Sequence, residues 1–167
     1  MKKKGFTLVE LLAVIAILAI LVIIALPNVM GMFNNAKKSS FETEVKEVLK
    51  GAQQQWMQDS ITGGVANTCY TTSSSGCRTK TFTNTTISVT PKSLTSVDIR
   101  SQLKYYIELN GTGKITLAQF SDGTYWYNSG EVNASGDNLG LRPEDVKTES
   151  INVTADNAVP TTNFLAD

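Results

Sequence analysis

The stretch FTLVELLAVIAILAILVIIALP, residues 6–27, decides how the chain is read. From Leu11 to Ala36 there is no charged side chain, a run of 26 residues. At about 1.5 Å per residue, a helix of that length spans roughly 39 Å, more than the ~30 Å hydrocarbon core of a bilayer. Its apolar side chains lie all round the helix, as in a segment embedded in lipid. One carboxylate, Glu10, stands near the amino end. A carboxylate costs on the order of 2.5–3.5 kcal/mol at the bilayer centre and less toward an interface, so Glu10 requires a partner. Pro27 falls about 31 Å from Phe6, near the far interface, with Gly31 four residues on. It removes one backbone hydrogen bond and crowds the preceding turn. Two outcomes stay open: a kink or unwound piece, or a proline tolerated inside a membrane helix.

Lys2, Lys3, Lys4 and Gly5 precede the stretch. A secretory signal has a shorter apolar core followed by a small-residue cleavage site, whereas here the small-residue junction, Gly5-Phe6, comes first. A cut there would keep the helix. Lys-Gly-Phe-Thr-Leu-Val-Glu followed by an apolar run resembles the leader and mature amino terminus of type IV pilins and their pseudopilin relatives, and looks like a Gram-positive major pilin. The resemblance covers about the first fifth of the chain. It implies that a prepilin peptidase cuts between Gly5 and Phe6 and that Phe6 is then N-methylated. It also implies that Phe6, Glu10 and Pro27 act in assembly. In such filaments the segment around the proline is often extended, and the Glu10 carboxylate would pair with the Phe6 amine of a neighbouring subunit. Methylation keeps that amine charged. The alternative is a carboxylate held in its own first helical turn by the helix dipole and its own Phe6 amine.

Composition narrows the function. Lysine plus arginine and aspartate plus glutamate each number 15, and losing residues 1–5 removes three lysines and leaves the side chains at −3. No basic tail or patch marks a dedicated nucleic-acid site. There is no histidine and there are two cysteines, so neither a zinc site nor a histidine acid/base pair can be built. The reading is of a non-enzyme with no cofactor and no metal.

Past Lys37 the pattern becomes amphipathic, with Phe41, Val45, Val48, Leu49, Ala52 and Trp56 on one face. Glu42 to Lys46 and Glu47 to Lys50 decorate the others. One helix is expected from Phe6 to Asp59; Gly51 weakens it by about 1 kcal/mol relative to alanine, and Gly63-Gly64 ends the region. Thr62 to Thr90 reads as a polar loop with extended pieces at 79–82 and 86–89, and 96–103 as a helical turn. Tyr105–Leu109, Lys114–Phe120 and Thr124–Asn128 alternate around the turns at 110–113 and 122–123, an antiparallel meander whose apolar face needs the helix as cover. The expected fold class is α+β, a long amino-terminal helix packed on a small antiparallel β-sheet head. Its segments are a leader at 1–5, a hydrophobic transmembrane or filament-core half-helix at 6–36 and an amphipathic half-helix at 37–60. A connecting loop at 61–103, the sheet at 104–128 and a carboxy-terminal surface region at 129–167 follow, the last with a short helix starting at Arg142-Pro143.

The remaining motifs are weaker. Cys69 and Cys77 flank seven residues. In an extracytoplasmic head they are expected to be bridged, a link worth about 2–3 kcal/mol for so short a loop, although many pilins place their bridge nearer the carboxyl terminus; the alternative is two reduced thiols. Gly111-Thr112-Gly113-Lys114 lacks the first glycine and the trailing Ser or Thr of a phosphate loop and reads as a hairpin turn. Asn84, Asn110, Asn133 and Asn152 begin glycosylation tripeptides that a Thr/Asn-rich head produces by composition. Asp137, Asp145 and Asp156 lack the spacing of a calcium loop. The functional expectation is a major pilin, held in the cell membrane by a single span and then polymerised into an extracellular surface filament. Its partners are then its own copies, the peptidase, the membrane and the pilus assembly machinery, and its roles adhesion, motility or aggregation. A pseudopilin of a secretion or competence system, or a membrane-anchored binding domain that never polymerises, are the alternatives.

Overall fold

The structure is a computed structural model that describes residues 5–63, 67–73, 76–77, 80–82, 85–87, 89, 91–130 and 140–154. The chain divides into two compact units, Met1–Lys37 and Lys38–Asp167. One helix, α1 (Leu8–Gly63), contributes to both. It runs through Pro27 as one continuous helix, so the proline is accommodated here without an unwound piece. In the first unit every large apolar side chain from Leu8 to Phe33 is exposed.

The second unit has a core. Phe41, Val45, Val48, Leu49 and Ala52 of α1 are buried together with Tyr105, Ile107, Leu109, Ile115, Ala118, Phe120, Tyr125 and Tyr127. Those positions recur at helical spacing on α1 and at every second residue along most of the strands, which is why one face of each element meets the other. Phe41 and Tyr125 stack at a tilt with ring centroids 5.9 Å apart. The fold is α+β.

The strands are β1 (Thr68–Thr71), β2 (Lys80–Phe82), β3 (Thr85–Ile87), β4 (Pro91–Lys92), β5 (Lys104–Leu109), β6 (Ile115–Ser121), β7 (Tyr125–Asn128) and β8 (Asn152–Val153). The meander β5-β6-β7 lies within a residue or so of the sequence expectation, with Tyr106 opposite Gln119 and Phe120 opposite Tyr127. Its turns are built by side chains. Asn110 Oδ1 accepts from the backbone N–H of Thr112 and Lys114 and from the Thr112 hydroxyl, at 3.0, 2.9 and 2.8 Å. Asp122 Oδ1 accepts from the N–H of Thr124 and Tyr125. Gly113, at φ 76°, lies against the Trp56 indole, where a Cβ would come within 2.6 Å of Cε3. The glycine serves a hairpin, not a phosphate.

The sheet extends beyond the meander, and three segments depart from their expected form. The main sheet has six strands in the order β4-β1-β5-β6-β7-β8, and β1 pairs parallel to β4, so it is larger than the meander and not wholly antiparallel. The segment read as a connecting loop supplies β1 and β4. All four residues of β1 are buried, so it has no in/out alternation to read, and two of them are threonines. The segment read as surface supplies Leu141, Val146 and Ile151 to the core, from irregular backbone around two 3₁₀ turns at Pro143–Asp145 and Thr148–Ser150. The third concerns 96–103, which forms bends and a turn and no helix. Both sheet edges are two residues long and one contains Pro91, a protection against edge-to-edge pairing.

The stretch at 93–97 is strapped across α1. Gln55, buried, donates from Nε2 to the Ser93 carbonyl at 3.1 Å and accepts at Oε1 from the N–H of Thr95 at 2.7 Å and of Ser96 at 3.3 Å. Ser96 Oγ donates to the Gly51 carbonyl at 3.0 Å. Gly51 is what permits this approach, since a Cβ there would sit 1.8 Å from Val97 Cγ2. The glycine that weakens the helix is the seat of the strap.

Candidate functional site

The amino end of α1 is set by four residues. The first intrahelical bond runs from Leu11 N–H to the Thr7 carbonyl at 3.2 Å, which makes Thr7 the N-cap and Glu10 the third helical residue. Thr7 N–H donates to Glu10 Oε2 at 2.9 Å, and Glu10 N–H donates to Thr7 Oγ1 at 3.3 Å. This is the reciprocal capping box of a Thr-x-x-Glu sequence. The Thr7 hydroxyl adds a third bond, donated to the same Oε2 at 2.8 Å. The helix dipole further favours a carboxylate in this first turn.

The cap leaves Gly5 and Phe6 outside the helix, and Phe6 is 87% exposed. An exposed, non-helical peptide bond is what a peptidase can draw into an extended binding cleft. In the uncleaved chain the Phe6 nitrogen is a peptide N–H and not an amine, and Glu10 is held by Thr7. The sequence reading weighed the Phe6 amine and the helix dipole and missed Thr7, although Thr-x-x-Glu before an apolar run is a legible signal. Pro27 lies seventeen positions along the same helix from Glu10. Lys2, Lys3 and Lys4 lie outside the described residues.

Other predicted residues stand elsewhere. Cys69, buried in β1 beside Pro91 and Glu108, is bonded to Cys77 with their Cα atoms 6.1 Å apart. The end of α1 is tied nearby, where Asp59 Oδ2 accepts from Lys92 Nζ at 2.9 Å and from the Tyr70 hydroxyl at 3.2 Å. Burial and the Asp59 charge raise the Tyr70 phenol well above its usual value. Asp145 pairs with Arg142 at 2.8 Å, which holds its carboxyl below the usual range and makes it a capping residue of the 3₁₀ turn. Asp137 and Asp156 lie outside the described residues, as do Asn84 and Asn133. No group of acidic, cysteine or histidine residues that could hold a metal occurs among the described residues.

Residues 1–26 match the family model of the prokaryotic N-terminal methylation motif. The chain carries a type IV prepilin signature. That signature includes Gly5, Phe6, Thr7 and Glu10 and the apolar helix up to Leu26, so the capping box lies within it. It implies processing by a peptidase and association with a membrane, and it indicates a structural protein. Among the described residues, one helix is long and apolar enough to cross a membrane, and it begins within that signature. No curated protein and no solved structure matches the chain.

Proposed function

We propose that this prepilin-like chain is the major structural subunit of a type IV pilus, stored in the cell membrane, cleaved between Gly5 and Phe6, N-methylated on Phe6 and polymerised into a surface filament. The observation that carries the reading is the single carboxylate of Glu10 at the head of an exposed helix with no other charge from Leu11 to Ala36. A plain membrane anchor would use it only as a helix cap. In the stored subunit Thr7 compensates the carboxylate from within its own chain. After cleavage a charged Phe6 amine exists for the first time, and in a bundle of such helices it offers a neighbour's Glu10 a stronger, charge-assisted partner. Moving a helix from lipid to other helices gains little hydrophobic energy, so packing and this polar pair select the register of the entering subunit. Pro27 and the disulfide-linked head complete the subunit, the first as a site where the helix can change course on assembly, the second as the surface it displays.

The test is the mature amino terminus by intact mass, together with negative-stain images and peptide mapping of sheared surface material. A methylated chain starting at Phe6 and found in filaments supports the reading. A processed chain that remains wholly in the membrane and forms no filament overturns it.

A further inference from the structure

Glu10 and Lys37 bracket the uncharged helix and are 27 positions apart, about 40 Å along α1. That distance matches a bilayer with its headgroup layers, about 40–45 Å, and not the hydrocarbon core alone. With Glu10 in one headgroup layer, Lys37 reaches the other. Just before it the apolar side chains continue through Val29, Met30, Met32 and Phe33, each more than half exposed. The Lys37 ammonium lies 4.4 Å above the centre of the Phe33 ring, one helical turn back. The contact folds the lysine stem along its own helix and holds the charge beside an aromatic residue, the arrangement by which lysines and rings sit at a membrane surface. Among the described residues no carboxylate pairs with Lys37. The first two acids that follow are engaged elsewhere, Glu42 by Lys46 and Thr148 and Glu44 by Arg100.

We infer that Phe33 and Lys37 form a binding site for the headgroup of an anionic phospholipid on the far side of the membrane from the leader. The inference rests on the membrane-stored stage of the proposed function and names the lipid met there. The ring keeps the apolar stem and the acyl-chain boundary in register, and the ammonium supplies the counter-charge to the lipid phosphate. Three leader lysines on the other side set the orientation. An assembling subunit must surrender this lipid on leaving the bilayer, so the pair also acts as a retention contact.

The test uses the full chain with Lys2, Lys3 and Lys4 replaced by glutamine, so that the leader contributes no side-chain charge and its amino terminus is common to every variant, incorporated into nanodiscs of phosphatidylcholine with phosphatidylglycerol. Native mass spectrometry of the released protein then counts the lipids it retains. About a fivefold preference for phosphatidylglycerol is expected, the factor one lysine at an anionic surface supplies. Lys37→Gln is expected to abolish most of it, Phe33→Leu to reduce it, and Lys38→Gln to leave most of it. Equal retention of the two lipids, or an equal loss in Lys37→Gln and Lys38→Gln, overturns the site. A chain that does not enter nanodiscs at all overturns the membrane reading with it, a failure visible before any lipid is counted.

Discussion

Thr7 donates from both its backbone N–H and its hydroxyl to one carboxylate oxygen of Glu10, at 2.9 and 2.8 Å. A lone charge at the head of an apolar helix is thereby satisfied inside its own chain. The balance between this local pair and an intermolecular one is where the proposed assembly step can be probed.

Glu10→Val should leave cleavage, membrane insertion and the head intact while filament yield falls at least tenfold. Glu10→Gln keeps the shape and can still accept from Thr7 but cannot pair a charge, so it should assemble as poorly. Thr7→Val removes the hydroxyl and with it the cap, a loss of about 1 kcal/mol of helix-end stability, yet preserves the charge pair, so filaments should still form. The ratio of sheared filament to processed membrane subunit, measured for all three, decides. Abundant filaments from Glu10→Val would leave the carboxylate as a capping residue only.

Gly51→Ala is expected to destabilise the head despite the gain of about 1 kcal/mol in helix propensity. The new methyl group would collide with Val97 Cγ2 at 1.8 Å, and the stiff Val97 side chain must rotate or lift the strap. A net loss of about 1–2 kcal/mol is expected by urea unfolding of the detergent-solubilised chain. In a Val97→Ala background the same substitution should become neutral or stabilising, and a loss that persists there would refute the steric account.

Reducing the Cys69–Cys77 bond, or replacing both residues with serine, should lower head stability by about 2–3 kcal/mol. Alkylation of the exported protein before and after reduction reports the bond directly. Two thiols alkylated without reduction would mean that the segment after β1 is held by packing alone.

Alkaline unfolding should carry the mark of Tyr127. Its burial, with the nearby Asp145 charge, pushes the phenol from 10.0 to about 12. The unfolded chain therefore loses this proton first, so the stability it contributes is whole below pH 10 and disappears as pH rises toward 12. Tyr127→Phe should flatten the fall of stability across that window by about one proton's worth of slope. Tyr70, also raised, adds to the slope in the wild-type chain and remains in the variant. An unchanged slope in Tyr127→Phe would show that the phenol titrates normally.

How much of this was readable beforehand varies with the kind of signal. The long helix, its apolar first half, the amphipathic face from Phe41 to Trp56 and the meander around Asn110 and Asp122 all follow from periodicity and turn chemistry, which are local. The prepilin motif is local too, being a few residues beside an apolar run. Thr7 is equally legible, because Thr-x-x-Glu before an apolar run marks a capping box, but only if Glu10 is taken as the third residue of a helix and not solely as a charge in lipid.

What the sequence alone determined is therefore a membrane-length apolar helix with one carboxylate at its head, a prepilin signature around its start and an α+β head behind it. What only the tertiary structure decided is everything that depends on partners distant along the chain. Thr68–Thr71 becomes a fully buried strand because β4 and β5 flank it, and no pattern within four residues announces that. Leu141, Val146 and Ile151 enter the core from irregular backbone, whose side-chain directions follow no period. Gly51 and Gln55 take their meaning from a strap about forty residues away, since close approach and hydrogen-bond satisfaction are properties of neighbours in space, and a sequence orders neighbours only along the chain.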